Sequence, residues 1–548
     1  MISPLAAVRG ELHASKSRAR SPPPEPPMQE GRGAFIIPDR RARSDRSDAS
    51  TRCPEGSTVA LSRPMTLDSI PVVPGGNFAG HMHLFQGDDR LGLFQRIADT
   101  GELSRVSFLG RPVVFANSPA AAHEVLVEKA RCFEKSPGIR LLLHYLAGEG
   151  LFTSEGELWR RQRRLMAPLF QPSAMAQYTD CMHDVAARAV ATWKDGAALD
   201  LATEMTRVTM GIVGKALFDS DTFDESDALG EALTLALAWA DSQSASPRLV
   251  AQIALTDALE AVGAHLPGGL DALRRRALAS LKEPFLLEGA RSERLQGALA
   301  VVDGRIRQMI AERRAQGLAR ADLLTRLLAA RDEENGGAAV MTDQQVRDEA
   351  NTLFIAGHET TATSLSWSFY LLGRHAAVRE AVQREVDALP PGPVTFAGAA
   401  SSLPLTTRVF KEAMRLYPPV PIYARRLLVD AEIRGVAMPR GTLVIVTPYP
   451  LHRRPDVFPE PERFDPERFL PEREAARPKS SYIPFGAGPR VCLGLHFAML
   501  EGPIVMATIM RLARIETDPA RVIEPKLSAT VRPGGGVPAR VYRRAVPS

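Results

Sequence analysis

Ten prolines fall within the 42 residues from Pro448 to Pro489. Proline lacks the amide donor that a helix interior or a central strand requires, and its ring clashes with the preceding helical turn. The stretch can build neither element and reads as irregular coil. It is also rich in Phe and Arg, which a solvated linker would not need. Only 59 residues follow Pro489, too few for a comfortable second domain. The coil is therefore expected to lie packed on the domain that precedes it.

That domain is expected to be mainly α with small β-sheets. Helical periodicity runs through 120–130, 154–169, 175–193, 296–316, 342–373 and 405–416. Strand-like runs are short: 106–108 with 113–115, and 433–436 with 443–446 across the turn 438–441. Residues 65–548 are expected to form this single unit. Residues 1–64 combine a Pro-rich run with Arg, Ser and Asp, and are expected to stay disordered. Met65 opens a segment that reads like a natural start. Of the net charge of +5, +4 comes from those first 64 residues. The folded part thus lacks the concentrated basic face of a nucleic-acid binder. Apolar runs reach about ten residues where a membrane span needs ~20, and 350–373 is interrupted by His358, Glu359 and several threonines. No transmembrane anchor and a cytoplasmic location are the expectation.

The four cysteines, Cys53, Cys132, Cys181 and Cys492, are far apart, so no disulfide framework is expected. One of them stands in a distinctive setting. Cys492 lies in the run from Pro484 to Gly494, among Gly486, Gly488 and Gly494, just before an apolar helical pattern. Glycine lets backbone approach a ligand closely. A helix N-terminus favours thiolate, and Arg490 adds a fixed cation. The loop reads as one that presents a thiolate to a large anionic ligand. In 350–366, Gly357, Thr360, Thr361 and Thr363 are poor helix formers at mid-helix. Thr342 and Gln345 make a capping box for that helix. Glu412 and Arg415 share a helix face.

These runs resemble the cytochrome P-450 superfamily, with its motifs in the expected order over more than 330 residues. The haem loop FxxGxRxCxG is matched by Phe485, Gly488, Arg490, Cys492 and Gly494. The resemblance implies the P-450 fold, with haem b between the long central helix and the helix after the cysteine loop. It implies Cys492 as axial thiolate on iron, Phe485 against the haem, and Arg490 on a propionate. The central-helix motif AGxxT is matched by Ala356, Gly357 and Thr360. Thr360 would relay a proton to bound dioxygen, and Glu359 would bring protons from solvent. Trp159 and Arg163 match WxxxR, which implies Arg163 on a propionate. Arg425 is a further propionate contact, with Arg426 as fallback. Glu412 and Arg415 match ExxR, whose third member is an arginine of the proline-rich coil. Pro-Glu-Arg-Phe occurs twice there, and proximity to the cysteine loop favours Arg468 over Arg463.

The resemblance further implies monooxygenation of a lipophilic small molecule (a fatty acid, terpene or polyketide) with O2. By family position Thr352, Leu353, Ile355, Val420 and Ile422 line the pocket, and 136–147 with the motif-free middle form a lid. No reductase is fused, so electrons from NAD(P)H would arrive through a ferredoxin or flavodoxin and its reductase. A monomer is expected. Peroxide-driven hydroxylation, a non-catalytic haem sensor and a haem-free scaffold remain the competing readings.

Overall fold

The computed structural model describes residues 65–262, 268–281, 287–317, 322–332, 338–339, 341–394 and 396–544. The expectations for 1–64 lie outside the described residues. Six helices position the site: α1 (Gly156–Met166), α2 (Thr179–Thr192), α3 (Leu201–Phe218), α4 (Asp343–Arg374), α5 (Pro404–Leu416) and α6 (Leu495–Leu512).

The 32-residue α4 runs through the centre. Its start is set by the capping box: Gln345 N donates to Thr342 Oγ1 at 3.2 Å and Thr342 N to Gln345 Oε1 at 2.9 Å. From Val346 to Gly373 most of its residues are buried on every side. Helices α3, α5 and α6 pack directly on it. A helix that is covered all round needs no polar stripe, which is why its periodicity in the sequence is weak. At Gly357 α3 approaches closely; a Cβ there would sit 2.9 Å from Val213. Helix α6 is apolar and long enough to cross a bilayer, yet 72% of it is buried within the protein core.

Strands β1 (Leu103–Phe108), β2 (Arg111–Ala116), β3 (Phe133–Lys135), β4 (Tyr423–Leu427) and β5 (Leu443–Val446) form one sheet in the order β1-β2-β5-β4-β3. β1 and β2 make the expected hairpin. The second expected pairing is corrected. Ala431–Ile433 pairs with Val436–Met438, whereas β5 lies parallel to β2 and antiparallel to β4. Arg434 and Gly435 both have positive φ, 50° and 76°. They make a two-residue hairpin turn inside the run that was read as one strand. A last hairpin, β6 (Pro525–Leu527) and β7 (Val531–Pro533), packs on α4. Among the described residues Cys181 and Cys492 are free cysteines.

Residues 448–489 are mostly turns and bends, with only short helical pieces. They are fastened by α5. Arg415 and Glu412 are both fully buried and form a bidentate pair at 2.7 and 2.8 Å. The remaining Arg415 donors reach the carbonyls of Pro461 (2.7 Å), His452 (3.1 Å) and Arg463 (3.1 Å).

Where α6 meets α4 a second carboxylate is buried. Glu501 is fully buried, and neither of its oxygens has a well-formed hydrogen bond. Burial pushes its pKa up to about 8, against a smaller opposing pull from Thr361. An unfolded glutamate titrates near ~4.3. Between those values the folded state holds the extra proton, so stability is fully present below the lower value and is lost as pH rises through the upper one. Resistance of the wild type to urea should therefore fall between pH 5 and pH 8, and Glu501→Gln should flatten that slope.

Candidate functional site: a thiol in a cationic chamber

The cysteine loop is held open by its backbone. Cys492 N donates to Phe485 O at 2.8 Å and closes the loop. Gly488 has φ +69°, and a Cβ on it would lie 2.0 Å from the Leu126 carbonyl oxygen. Tyr423 reaches under the loop, its hydroxyl donating to the carbonyls of Ile483 (2.9 Å) and Pro484 (3.0 Å). Phe485 packs, half-buried, on the main core. Gly494 caps α6, and its amide bonds the Cys492 sulfur. Burial pushes the Cys492 thiol up, opposed by that amide and by Arg163. Yet Cys492 also keeps accessible surface. Both hold for a sulfur that lies deep in the protein yet is left uncovered by neighbouring side chains.

Arg163 bears on this sulfur directly, while Lys135, Arg425 and Arg490 form a cation cluster around Glu155 that includes the loop itself. Arg490 stacks on the Trp159 ring at 4.3 Å, and Arg163 lies 5.9 Å from the same ring. Lys135 and Arg425 are register partners across β3 and β4. Like charges placed opposite each other destabilise a sheet. Burial first, then Arg490, pulls Arg425 down to about 10. Burial likewise pulls Lys135 down to about 7, although Glu155 opposes it. Arg163 is lowered by burial, with Cys492 pulling the other way. Glu155 pairs with Arg490, and Arg490 Nη1 stays buried without a partner. Arg426, one residue on, points to the other face, where it meets Glu134 at 2.6 Å and Asp257 at 2.7 Å.

On α4, three carbonyls of the segment Phe354–His358 take a second donor. Thr360 Oγ1 donates to Ala356 O at 2.9 Å, His358 Nδ1 bonds Phe354 O at 2.9 Å, and Thr209 Oγ1 donates to His358 O at 3.0 Å. Such side-chain bonds compete with the helix ladder and loosen it. Glu359 turns away from Thr360. Its Oε1 accepts from Thr530 Oγ1 at 2.8 Å and from Arg532 Nε at 2.9 Å, on the β6–β7 hairpin. The structure thus does not bring the acid and the alcohol into contact.

The family-position pocket residues divide into two groups. Ile355, Val420 and Ile422 keep accessible surface. Thr352 and Leu353 are buried, and the Thr352 hydroxyl faces Gly150, whose Cβ would lie 2.2 Å from it. Those two are wall, not lining. The segment read as a lid is the helix Pro137–Ala147, packed on α4 through a buried face. Of the two Pro-Glu-Arg-Phe copies, Arg468 Nε lies 3.5 Å from Glu412 Oε1. The Arg463 side chain is exposed and pairs with Glu460. Sequence reasoning missed Lys135, Glu155, Thr530, Arg532 and Glu501. Only Glu155 carried a signal, lying four residues before Trp159.

These residues fit haem. Among the described residues no group of three or more His, Cys, Asp or Glu could hold a bare metal ion. A single thiolate can hold a metal whose other positions a macrocycle fills. The like-charged pair Lys135 and Arg425, with the unpartnered Arg490 Nη1, fits a macrocycle that carries carboxylates. The site is therefore that of a haem-thiolate protein. Known proteins agree. The Cytochrome P-450 family pattern matches residues 71–259 and 270–538. Cyclooctatin synthase of Streptomyces melanosporofaciens is 33% identical over 84% of this chain and 94% of its own length. Pentalenene oxygenase of Streptomyces avermitilis is 30% identical over 75% of this chain and 84% of its own. The crystal structure of a cytochrome P450DA haem domain superposes with a TM-score of 0.72 at 27% identity, covering 87% of this chain and 98% of that one. The chain belongs to the cytochrome P-450 family, and it is a monooxygenase.

Gly488→Ala should expose the loop's dependence on this backbone. A side chain there meets strain at positive φ and a backbone oxygen that cannot retreat. The variant should bind haem with a much reduced thiolate-type Soret signal, read by carbon-monoxide difference spectroscopy.

Proposed function

We propose that this monooxygenase inserts one oxygen atom of O2 into a terpene-type lipophilic molecule, with electrons from a separate ferredoxin or flavodoxin system. The observation that carries the reading is the Cys492 sulfur, which keeps accessible surface beside Arg163 while its own loop joins the Lys135, Arg425 and Arg490 cluster. Haem bound there supplies dioxygen activation, since thiolate ligation favours O–O cleavage. Cys492 would hold the iron, and Arg163, Arg425 and Arg490 would hold the carboxylates.

The chain's own residues do the rest. Ile355, Val420 and Ile422 offer an apolar wall that excludes water and accepts a hydrocarbon skeleton. Ala356 and Gly357 leave the middle of α4 thin. The Thr360 hydroxyl, resting on the Ala356 carbonyl, can rotate to donate its proton into the chamber. Glu359 holds a carboxylate one residue away, tied to Arg532, and must swing from that partner to pass a proton to Thr360. The terpene class is supported by relatives named cyclooctat-9-en-7-ol 5-monooxygenase (31% identical) and pentalenene oxygenase. For the electron donor, a groove of about 520 Å³ opens against the cysteine loop, lined by Phe485, Gly486, His496 and Met499.

Cys492→Ser should abolish the thiolate-type carbon-monoxide band while far-UV circular dichroism is retained. A retained band would remove Cys492 from the iron. Thr360→Ala should release at least several-fold more peroxide per NAD(P)H consumed; unchanged coupling would remove the hydroxyl from proton transfer. Cyclic di- and sesquiterpenes should produce a substrate-type spin-state shift, and a panel that shifts only with fatty acids would move the substrate class.

A further inference from the structure

Glu155, Trp159 and Arg163 recur every fourth residue and so form one stripe along α1 and its N-terminal flank. Glu155 is the N-cap residue of α1, yet its side chain makes no capping bond. A carboxylate at a helix N-terminus ordinarily stabilises that helix. This one forgoes the local role and turns to the cysteine loop. Its Oε2 accepts from Arg490 Nη2. Its Oε1 accepts from the Lys135 amide at 2.9 Å and lies 3.7 Å from Lys135 Nζ. The Glu155 and Arg490 side chains are only 11% and 14% exposed, so solvent screens the pair weakly.

Arg490 is consequently fixed on three sides. Its backbone sits in the turn Gly488–Arg490, its flat face lies on Trp159, and one edge is tied to Glu155. The other edge, Nη1, is buried without a partner. A guanidinium clamped by one edge presents the other in a set orientation, which a planar carboxylate can meet. Glu155 is also an acid whose charge bears on both Lys135 and Arg425. Without it, buried cations would face one another with less to restrain their repulsion.

We propose that Glu155 is a positioning residue that presets Arg490 for a haem carboxylate, and that its negative charge beside the chamber biases the iron toward the ferric state. The proposal rests on the haem-thiolate reading above. Glu155 touches no reacting atom; it acts through Arg490 and through its field.

The test compares wild-type holoenzyme with Glu155→Gln and Glu155→Asp. Two quantities are read: the rate of haem transfer to apomyoglobin, and the ferric–ferrous midpoint by dye-coupled titration. Glu155→Gln keeps the shape and loses the charge. It should lose haem at least tenfold faster and shift the one-electron equilibrium several-fold toward the ferrous form. Glu155→Asp keeps the charge but draws back from Arg490. It should lose haem at an intermediate rate with a midpoint near wild type. A wild-type value of either readout in Glu155→Gln overturns the proposal, as does an equal midpoint shift in both variants. If Glu155→Gln does not fold, Glu155→Asp decides alone, and a wild-type rate of haem loss overturns it. Wild-type protein without a thiolate-type spectrum would instead sink the haem-thiolate reading itself, so the two failures are distinguishable.

Discussion

A coil with ten prolines in 42 residues has ten fewer amides than carbonyls, so its backbone needs donors from outside. Arg415 supplies the missing donors. It reaches three carbonyls of the coil while Glu412 neutralises it and accepts the Asp465 amide at 2.9 Å. The coil, so fastened, places His452. Buried among cations, His452 is held well below its ordinary pKa, and its neutral Nε2 accepts the Ile483 amide at 2.8 Å. Ile483 is the residue before the cysteine loop. A fully buried ion pair thus governs, through one coil and one histidine, where the thiol stands. Removing either partner would strand a charge and cost about 3–5 kcal/mol, which makes the pair a constraint on geometry more than a source of stability.

The second constraint is electrostatic. Sheet register sets Lys135 opposite Arg425, while helix α1 brings Arg163 and, through Trp159, steadies Arg490. None of these elements is close to another in sequence. Cations crowd together in this way where a buried anion is to be held, because solvent no longer offsets their repulsion. The sheet alternation that turns Arg425 inward turns Arg426 outward to Glu134 and Asp257. Two adjacent arginines therefore do unrelated things.

Helix α4 carries the opposite compromise. Its ends are strongly specified, by a capping box at one and a tight core at the other. Its middle is loosened by Thr360, His358 and Thr209, each bonding a helix carbonyl. Helix stability is given up where the chamber needs a movable hydroxyl. Glu359 and Glu501 bracket that region, the first paired with Arg532 and the second carrying its proton to about 8.

Much of this was legible in residue order. Local backbone chemistry announces itself: prolines forbid regular structure, glycines before a helix permit a close loop, and Glu412 with Arg415 must share a face. Motif spacing was enough to single out Cys492, Arg490, Thr360 and Arg163, since each is positioned by its own turn or helix. What residue order left open is whatever depends on contacts between distant segments. It favoured Arg468 over Arg463 only by closeness to the cysteine loop, whereas burial against Glu412 is what distinguishes them. It could not show that 433 and 436 end two strands, that Thr352 faces Gly150, or that Glu359 is taken by Arg532 from 173 residues away. Lys135 and Glu155 stand out only once tertiary packing buries them together, since burial is what makes ordinary surface charges interact strongly.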